Sequence, residues 1–304
     1  MLFVLISDIH GKYKTSIGRK DNIGKAFESK INYVFKWANK NGAMILQAGD
    51  LNDNPRNWEV LDFYIKAIRK WQVMIFCVFG QHDLYMRRDP SDSPSVLSIL
   101  MQTGLVKILG KEPVTTNTGC KIYGANWGDE IPVPSEESKR NVLVLHAPIS
   151  KKSEFPGHDY TSPEYFMKKN PLFHVVLVGD VHKKIYYSTG KYLMDKRYLV
   201  NAGPMLRVEA TKYNMRHRPC FYVWDSKTNE MRKEIIPHQP ANEVLTRDHI
   251  VQKNISTREL EDFANELKTM RPLGSQRREN VQKFVERNVN SPRVVEIIKE
   301  VING

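Results

Sequence analysis

Five short motifs place aspartate and histidine where the chain has to turn: Asp8-Ile9-His10-Gly11, Gly49-Asp50, Gly80-Gln81-His82-Asp83, His146-Ala147-Pro148 and Gly179-Asp180-Val181-His182. Carboxylates and imidazoles are the groups that ligate divalent cations and carry protons near neutral pH. On an extended segment residues two apart project to the same side, so Asp8 can converge with His10, and Asp180 with His182. A single histidine at such a place is ordinarily structural. Five such groups in order, each beside glycine or a small residue, make a set. His158, His174, His217, His238 and His249 have no such context and read as ordinary.

An apolar run precedes each motif: Leu2–Ser7, Ala43–Ala48, Val73–Phe79, Asn141–Leu145 and His174–Val178. Their β-branched and aromatic content predicts buried strands, so the motifs lie at strand ends, where α/β sheets gather ligands. Between the first runs, Phe27, Ile31, Val34, Phe35 and Ala38 make one helical stripe, and Trp58, Leu61, Phe63, Ile65 and Ile68 a broader one. Ser93 before Pro94 predicts the cap of a third helix running through Met101. Strands alternating with helices predict an α/β sandwich around mixed or parallel sheets. After about residue 185 the texture becomes a run of strands with turns, and beyond Pro240 it becomes helical, with Ser256/Glu259 and Ser291-Pro292 as helix starts. The expected organisation is a body over residues 1–237 and a helical region over residues 238–304.

The chain has 304 residues, enough for one large domain and a smaller one. A net charge of +12 favours a polyanionic partner such as nucleic acid. Three cysteines without Cys-x-x-Cys spacing suggest reduced thiols, and Cys77, inside an apolar run, reads as core. No stretch approaches the ~20 apolar residues of a spanning helix. The expectation is a soluble cytoplasmic protein without a membrane partner, residing in a host's cytoplasm if the source is viral.

The ordered set SDIHG, AGD, FGQHD, LHAP and GDVH resembles the signature of the calcineurin-like metallophosphoesterases over Asp8 to His182. The resemblance implies a four-layer α/β metallophosphoesterase sandwich with a smaller strand-plus-helix C-terminal extension. It also implies two divalent metal ions. Asp8, His10 and His182 would hold the first, Asp50 would bridge, and Gln81, His146 and Asp180 would complete the second site. His82 matches the family's catalytic histidine, and Asp83 could orient its ring or cap a helix. Gln81 stands where the family has Asn, and Asp180 where it has His. The resulting three-carboxylate set is the harder one, which favours Mn²⁺, with Mg²⁺ second, over Zn²⁺.

Within that superfamily GDLNDNP replaces the Asp-Arg-Gly of the serine/threonine phosphatases. The basic balance, the Asn201–Arg207 segment NAGPMLR and the C-terminal extension resemble instead the SbcD-type nucleases of recombination and repair. That resemblance implies DNA as substrate and an SbcC-like SMC-family ATPase as partner. Lys12, Lys14, Arg19, Lys20, Arg87, Arg88, Lys183, Lys184 and Arg207 flank the metal motifs and are the expected DNA contacts. A small-molecule phosphodiesterase and a non-catalytic DNA-end-binding scaffold are the alternatives. The stripe Val294, Val295, Ile297, Ile298 and Val301 could pack on its own body, dock the ATPase or pair with a second copy.

Overall fold

Strand alternation builds the molecule in layers. In a computed structural model, which describes residues 1–87, 94–134, 140–151 and 160–248, twelve strands form two six-stranded sheets. The first has the order β12-β11-β1-β2-β3-β4: β1 Leu2–Ile6, β2 Met44–Gln47, β3 Ile75–Cys77, β4 Lys107–Ile108, β11 Cys220–Asp225 and β12 Glu230–Ile235. The second has the order β5-β6-β7-β8-β10-β9: β5 Val114–Thr115, β6 Cys120–Ala125, β7 Arg140–His146, β8 Val175–Gly179, β9 Ile185–Thr189 and β10 Arg197–Asn201. All five expected strands are present. The β4–β6 strands were not foreseen.

Phe3 and Leu5 of β1 point into the space between the sheets, with Val142, Val144, Val175, Leu177, Tyr222 and Trp224. Val4 and Ile6 point the other way, onto α1 (Ile23–Lys40), α2 (Trp58–Trp71) and α3 (Val96–Gln102). On the far side of the second sheet Leu143, Leu145, Val176 and Val178 meet Phe166 and Met167 of α4 (Pro163–Lys169). The order is helix, sheet, sheet, helix. Central strands covered on both faces read as continuous apolar runs, which is why they were legible.

In α1 the expected stripe is the buried one, and Asn22 caps the helix by accepting from Lys25 N. Burial of a side chain such as Phe27 contributes about 1.5–3 kcal/mol. Of the broader stripe on α2, Ile68 is buried and Leu61, Phe63 and Ile65 pack partly buried against the core beside Val60, Tyr64 and Ala67, while Trp58 is 51% exposed. The cap of α3 is Ser95, in a reciprocal box with Ser98, and Ser93 lies outside the described residues. The compact unit runs Met1–Arg247 and ends with α5 (Ala241–Val244). The helix starts expected at Ser256 and Ser291, and the terminal apolar stripe, fall outside the described residues. All three cysteines are free and buried. Among the described residues no helix is long and apolar enough to cross a membrane.

Candidate metal centre

The motif loops are bent by backbone that most residues avoid. Asp8, His10, Asp50 and Asp180 hold φ of 45°, 48°, 53° and 88°, in the left-handed region. Each such residue costs on the order of 1–3 kcal/mol, so the surroundings must fix it. His10 N donates to Asp50 O at 3.0 Å and Gly11 N to Leu51 O at 3.0 Å, tying the β1 loop to the β2 loop. Asn201 holds the assembly from behind, accepting from Ser7 Oγ and Gly203 N and donating to Val181 O. A side chain at Gly80 would overlap Asp50 Oδ1, and one at Gly179 would overlap Ala48 O, so these two glycines allow the loops to close on one another.

This closure brings Asp8, His10, Asp50 and His182 together, with one ligand atom from each inside 4.8 Å. His10 Nε2 lies 2.8 Å from His182 Nε2 and 3.5 Å from Asp50 Oδ2. A second group meets the same Asp50 oxygen. His146 Nε2 is 3.5 Å from Asp50 Oδ2 and 3.8 Å from Asp180 Oδ1. Gln81 Nε2 donates to Asp180 Oδ1 at 2.9 Å, which brings Gln81 into this group.

The hydrogen bonds show which atoms are left over. Asp8 Oδ1 accepts from Asp180 N, and Asp50 Oδ1 accepts from His82 N, each at 2.9 Å. His146 Nδ1 donates to Ala48 O at 2.7 Å, which leaves Nε2 with a lone pair. Asp8 Oδ2, Asp50 Oδ2, Gln81 Oε1 and His146 Nε2 are all buried with no hydrogen-bond partner. One buried acceptor without a partner costs about 1–3 kcal/mol. Four at one point fit divalent cations, and carboxylate, amide and imidazole are the donors such cations take.

The titration of the cation-free cluster follows from this crowding. Burial, reinforced by the nearby Asp50 charge, lifts the Asp8 carboxyl to about 6 against attraction from His182 and His146. Burial drops His10 to about 3. At Asp50 burial is outweighed by His146 and His10, which hold the carboxyl well below its usual range. His146 resists charging through burial, but the facing Asp50 carboxylate raises it to about 9.

The remaining expected residues divide. His82 is exposed beside the cluster, its ring edge-on to His10 at 4.9 Å and its Nδ1 3.2 Å from Asp53 O. Asp83 does not orient that ring but takes the other expected role, capping the short helical turn Gln81–Asp83 by accepting from Gly80 N. It is fully buried, and its carboxylate accepts from Gly80 N, Leu51 N, Asn52 N and Asn52 Nδ2, clamping the β2 and β3 loops together. Burial and the Asp50 charge raise its carboxyl to about 7. Sequence reasoning missed Asp53 and Asn201. Asp53 follows Asp50 by three residues in GDLND, and Asn201 opens NAGPMLR, but only contacts reveal what each does.

Among the basic residues, Lys14, Lys20 and Lys183 are exposed, and Lys12 and Lys184 are half-buried. Lys12 is paired with Asp53 at 2.8 Å, and Lys20 Nζ donates to Asn242 O. Arg19 and Arg207 correct the expectation of surface contacts, being only 7% and 3% exposed. Arg19 forks onto Asp21 and donates to Arg207 O, and Arg207 donates to Gln239 O. Both brace the interior. Arg87 belongs to a short turn, Tyr85–Arg87, and Arg88 lies outside the described residues.

Residues 1–184 match the family model of the calcineurin-like phosphoesterases. The chain is also similar to the crystal structure of TT1561 of Thermus thermophilus, at 12% identity and a TM-score of 0.46, over 78% of this chain and 99% of that one. A hypothetical protein, PH1004, from Pyrococcus horikoshii OT3 is similar at 13% identity and a TM-score of 0.40, over 83% of this chain and 93% of that one. No curated protein matches the chain.

Proposed function

Because the chain belongs to the calcineurin-like phosphoesterase family, we propose that it is a two-metal phosphodiesterase acting on DNA, the nuclease subunit of an SbcCD-like repair and recombination complex. The observation that carries the hydrolytic part is Asp50 Oδ2, buried without a hydrogen-bond partner and 3.5 Å from both His10 Nε2 and His146 Nε2, with Asp8 Oδ2, Gln81 Oε1 and His146 Nε2 likewise buried and unpartnered. Asp8, His10, Asp50 and His182 would hold one ion, and Asp50, Gln81, His146 and Asp180 the other. When bound, such a pair supplies Lewis acidity to phosphoryl oxygens and a water acidic enough to attack at neutral pH. Manganese suits this oxygen-rich set, with magnesium second.

The chain's own residues do the rest. Asp8 and Asp50 are each pinned through Oδ1, so their Oδ2 atoms keep a fixed direction. His82 stands at the open side, where a substrate must approach. With Nδ1 donating to Asp53 O, the ring in its protonated form can give its Nε2 proton to the leaving oxygen. No nucleophilic Ser or Cys is called for, since water attacks phosphorus directly.

DNA as substrate is supported by the net charge of +12 and by the exposed Lys14 and Lys183, four residues after His10 and one after His182. The ATPase partner rests on the resemblance of NAGPMLR and of the C-terminal extension expected from the sequence. In the test, full-length protein and its His82→Ala variant are incubated with Mn²⁺, end-labelled linear duplex and bis-p-nitrophenyl phosphate. Shortening of the DNA by wild type and not by the variant supports the nuclease. Cleavage of the small ester alone, unrelieved by an SbcC-like ATPase, assigns the site to small phosphodiesters. Turnover of neither with any divalent metal overturns the catalytic reading and leaves the scaffold.

A further inference from the structure

Outside the metal centre, Lys184, Tyr186, Tyr222, Met231 and Lys233 line a groove of ≈ 420 Å³. It lies where β12 edges the first sheet and β9 the second. Strand register explains its lining. Lys233 and Met231 are the neighbours of Tyr222 and Trp224, which face the inter-sheet core, so they point inward too. Arg232 and Glu234 pair with each other on the opposite side of β12. The ring of Tyr186 leans on Tyr222, with centroids 5.7 Å apart, and on Tyr198 at 6.2 Å, yet the residue stays 45% exposed. An inward lysine on an edge strand also discourages edge pairing. That role needs neither an aromatic wall nor a second lysine facing it.

We infer that this groove is a subsite for an unpaired nucleotide strand, in which Tyr186 stacks a base while Lys184 and Lys233 face the flanking phosphates. An aromatic platform between two cations recognises a base next to a phosphate. Position gives the groove its use. Lys184 follows His182 by two residues, so their Cα atoms are at most about 7 Å apart, and Tyr186 is within about 14 Å. A strand with one phosphodiester at the metal centre passes the groove within its next few nucleotides. That placement rests on the phosphodiesterase reading; the groove's own chemistry does not.

The test measures binding of a fluorescein-labelled ten-nucleotide oligothymidylate to the full chain by anisotropy, with EDTA present to prevent hydrolysis. Tyr186→Ala is expected to weaken binding by about 5- to 150-fold, the usual worth of one stacked base. Tyr186→Phe, which keeps the ring, stays within about twofold, as does Tyr165→Ala, an exposed tyrosine beside Lys169 on α4. Lys233→Gln lowers the salt slope of binding by about 1. Thermal unfolding of each variant checks the fold. Tyr186→Ala binding as tightly as wild type, or wild type failing to bind, overturns the subsite. So does thymidine monophosphate binding as tightly as the oligonucleotide, since length then adds nothing. Hydrolysis of bis-p-nitrophenyl phosphate with Mn²⁺ is scored separately. If it persists, the phosphodiesterase survives the loss of the groove; if it fails while Tyr186→Ala weakens binding, the groove survives the loss of the phosphodiesterase.

Discussion

Among the described residues two clusters of polar and charged side chains are buried, and they are finished in different ways. In the metal centre Asp8, Asp50, Gln81 and His146 each keep a buried atom without a partner. In the second cluster, between α1 and the Met205–Arg207 segment, the charges are met from within. Lys30 Nζ donates to Met205 O at 2.8 Å, Arg19 is held by Asp21 and Arg207 O, and Arg207 Nη2 reaches Gln239 O, with Arg207 Nε the one atom left over. Burial alone therefore does not identify a functional charge. A buried charge whose partners come from the chain is part of the scaffold. A group of ligand atoms left bare, in loops of costly backbone, waits for something the chain does not contain.

Breaking the first cluster has the largest expected effect. Asp50→Ala removes the oxygen shared by both groups. Metal affinity and turnover should fall by well over 100-fold, since even supporting contacts at such sites are worth 10–100-fold. Calorimetric Mn²⁺ titration and bis-p-nitrophenyl phosphate assays check this. In the metal-free state the same change also removes the acceptor of His82 N and the carboxylate that faces His146 and His10, so a loss of stability is expected beside the loss of metal affinity. A drop in metal-free unfolding temperature with metal affinity unchanged would place Asp50 with the scaffold charges.

Next comes Asp83→Ala, which strands the N–H groups of Gly80, Leu51 and Asn52 and should destabilise the fold by about 3 kcal/mol. Urea unfolding of the metal-free protein measures it. A loss of activity at unchanged stability would return Asp83 to a role at the His82 ring.

Lys30→Met sharpens the other side. Burial, together with the Arg207 and Arg19 charges, drops the Lys30 amine from 10.5 to about 7. Between those values the unfolded chain keeps a proton that the folded chain has lost, so the stability of the wild type rises with pH, by at most about 1.4 kcal/mol per unit. The variant flattens that rise. Parallel curves for the two proteins would show that Lys30 stays charged in the fold.

The smallest effect is expected of Lys12→Gln. Its pair with Asp53, a residue 36% exposed, is worth less than about 1 kcal/mol. If DNA runs past it, the salt slope of binding falls by about 1. No change in slope removes Lys12 from the contact set.

The metal motifs were legible because each sits at the end of a strand buried on both faces and lies beside a glycine or, at His146, an alanine, so local pattern and tertiary place coincide. The layered fold was legible for the same reason in Leu2–Ile6 and Val175–Gly179. Legibility stopped where only tertiary contacts decide. Arg19 and Arg207 look like any surface arginine until backbone carbonyls are folded around them. Asp83 could not be assigned without the two loops it clamps. On α2 Trp58 alone left the expected stripe, since a large apolar residue near a helix start can stay in solvent while Val60 and Tyr64 pack. The β4–β6 strands are short or carry Gly124 and Lys121, which blur the apolar signal.

The central claim is a pair of cation sites sharing Asp50, and its most direct test is the metal content of the full chain. Protein stripped with EDTA and titrated with Mn²⁺, followed by calorimetry and by electron paramagnetic resonance, should take up two ions per chain that are magnetically coupled. Asp50→Ala should abolish the coupling. Uptake of a single uncoupled ion, or two ions indifferent to Asp50, would contradict the account.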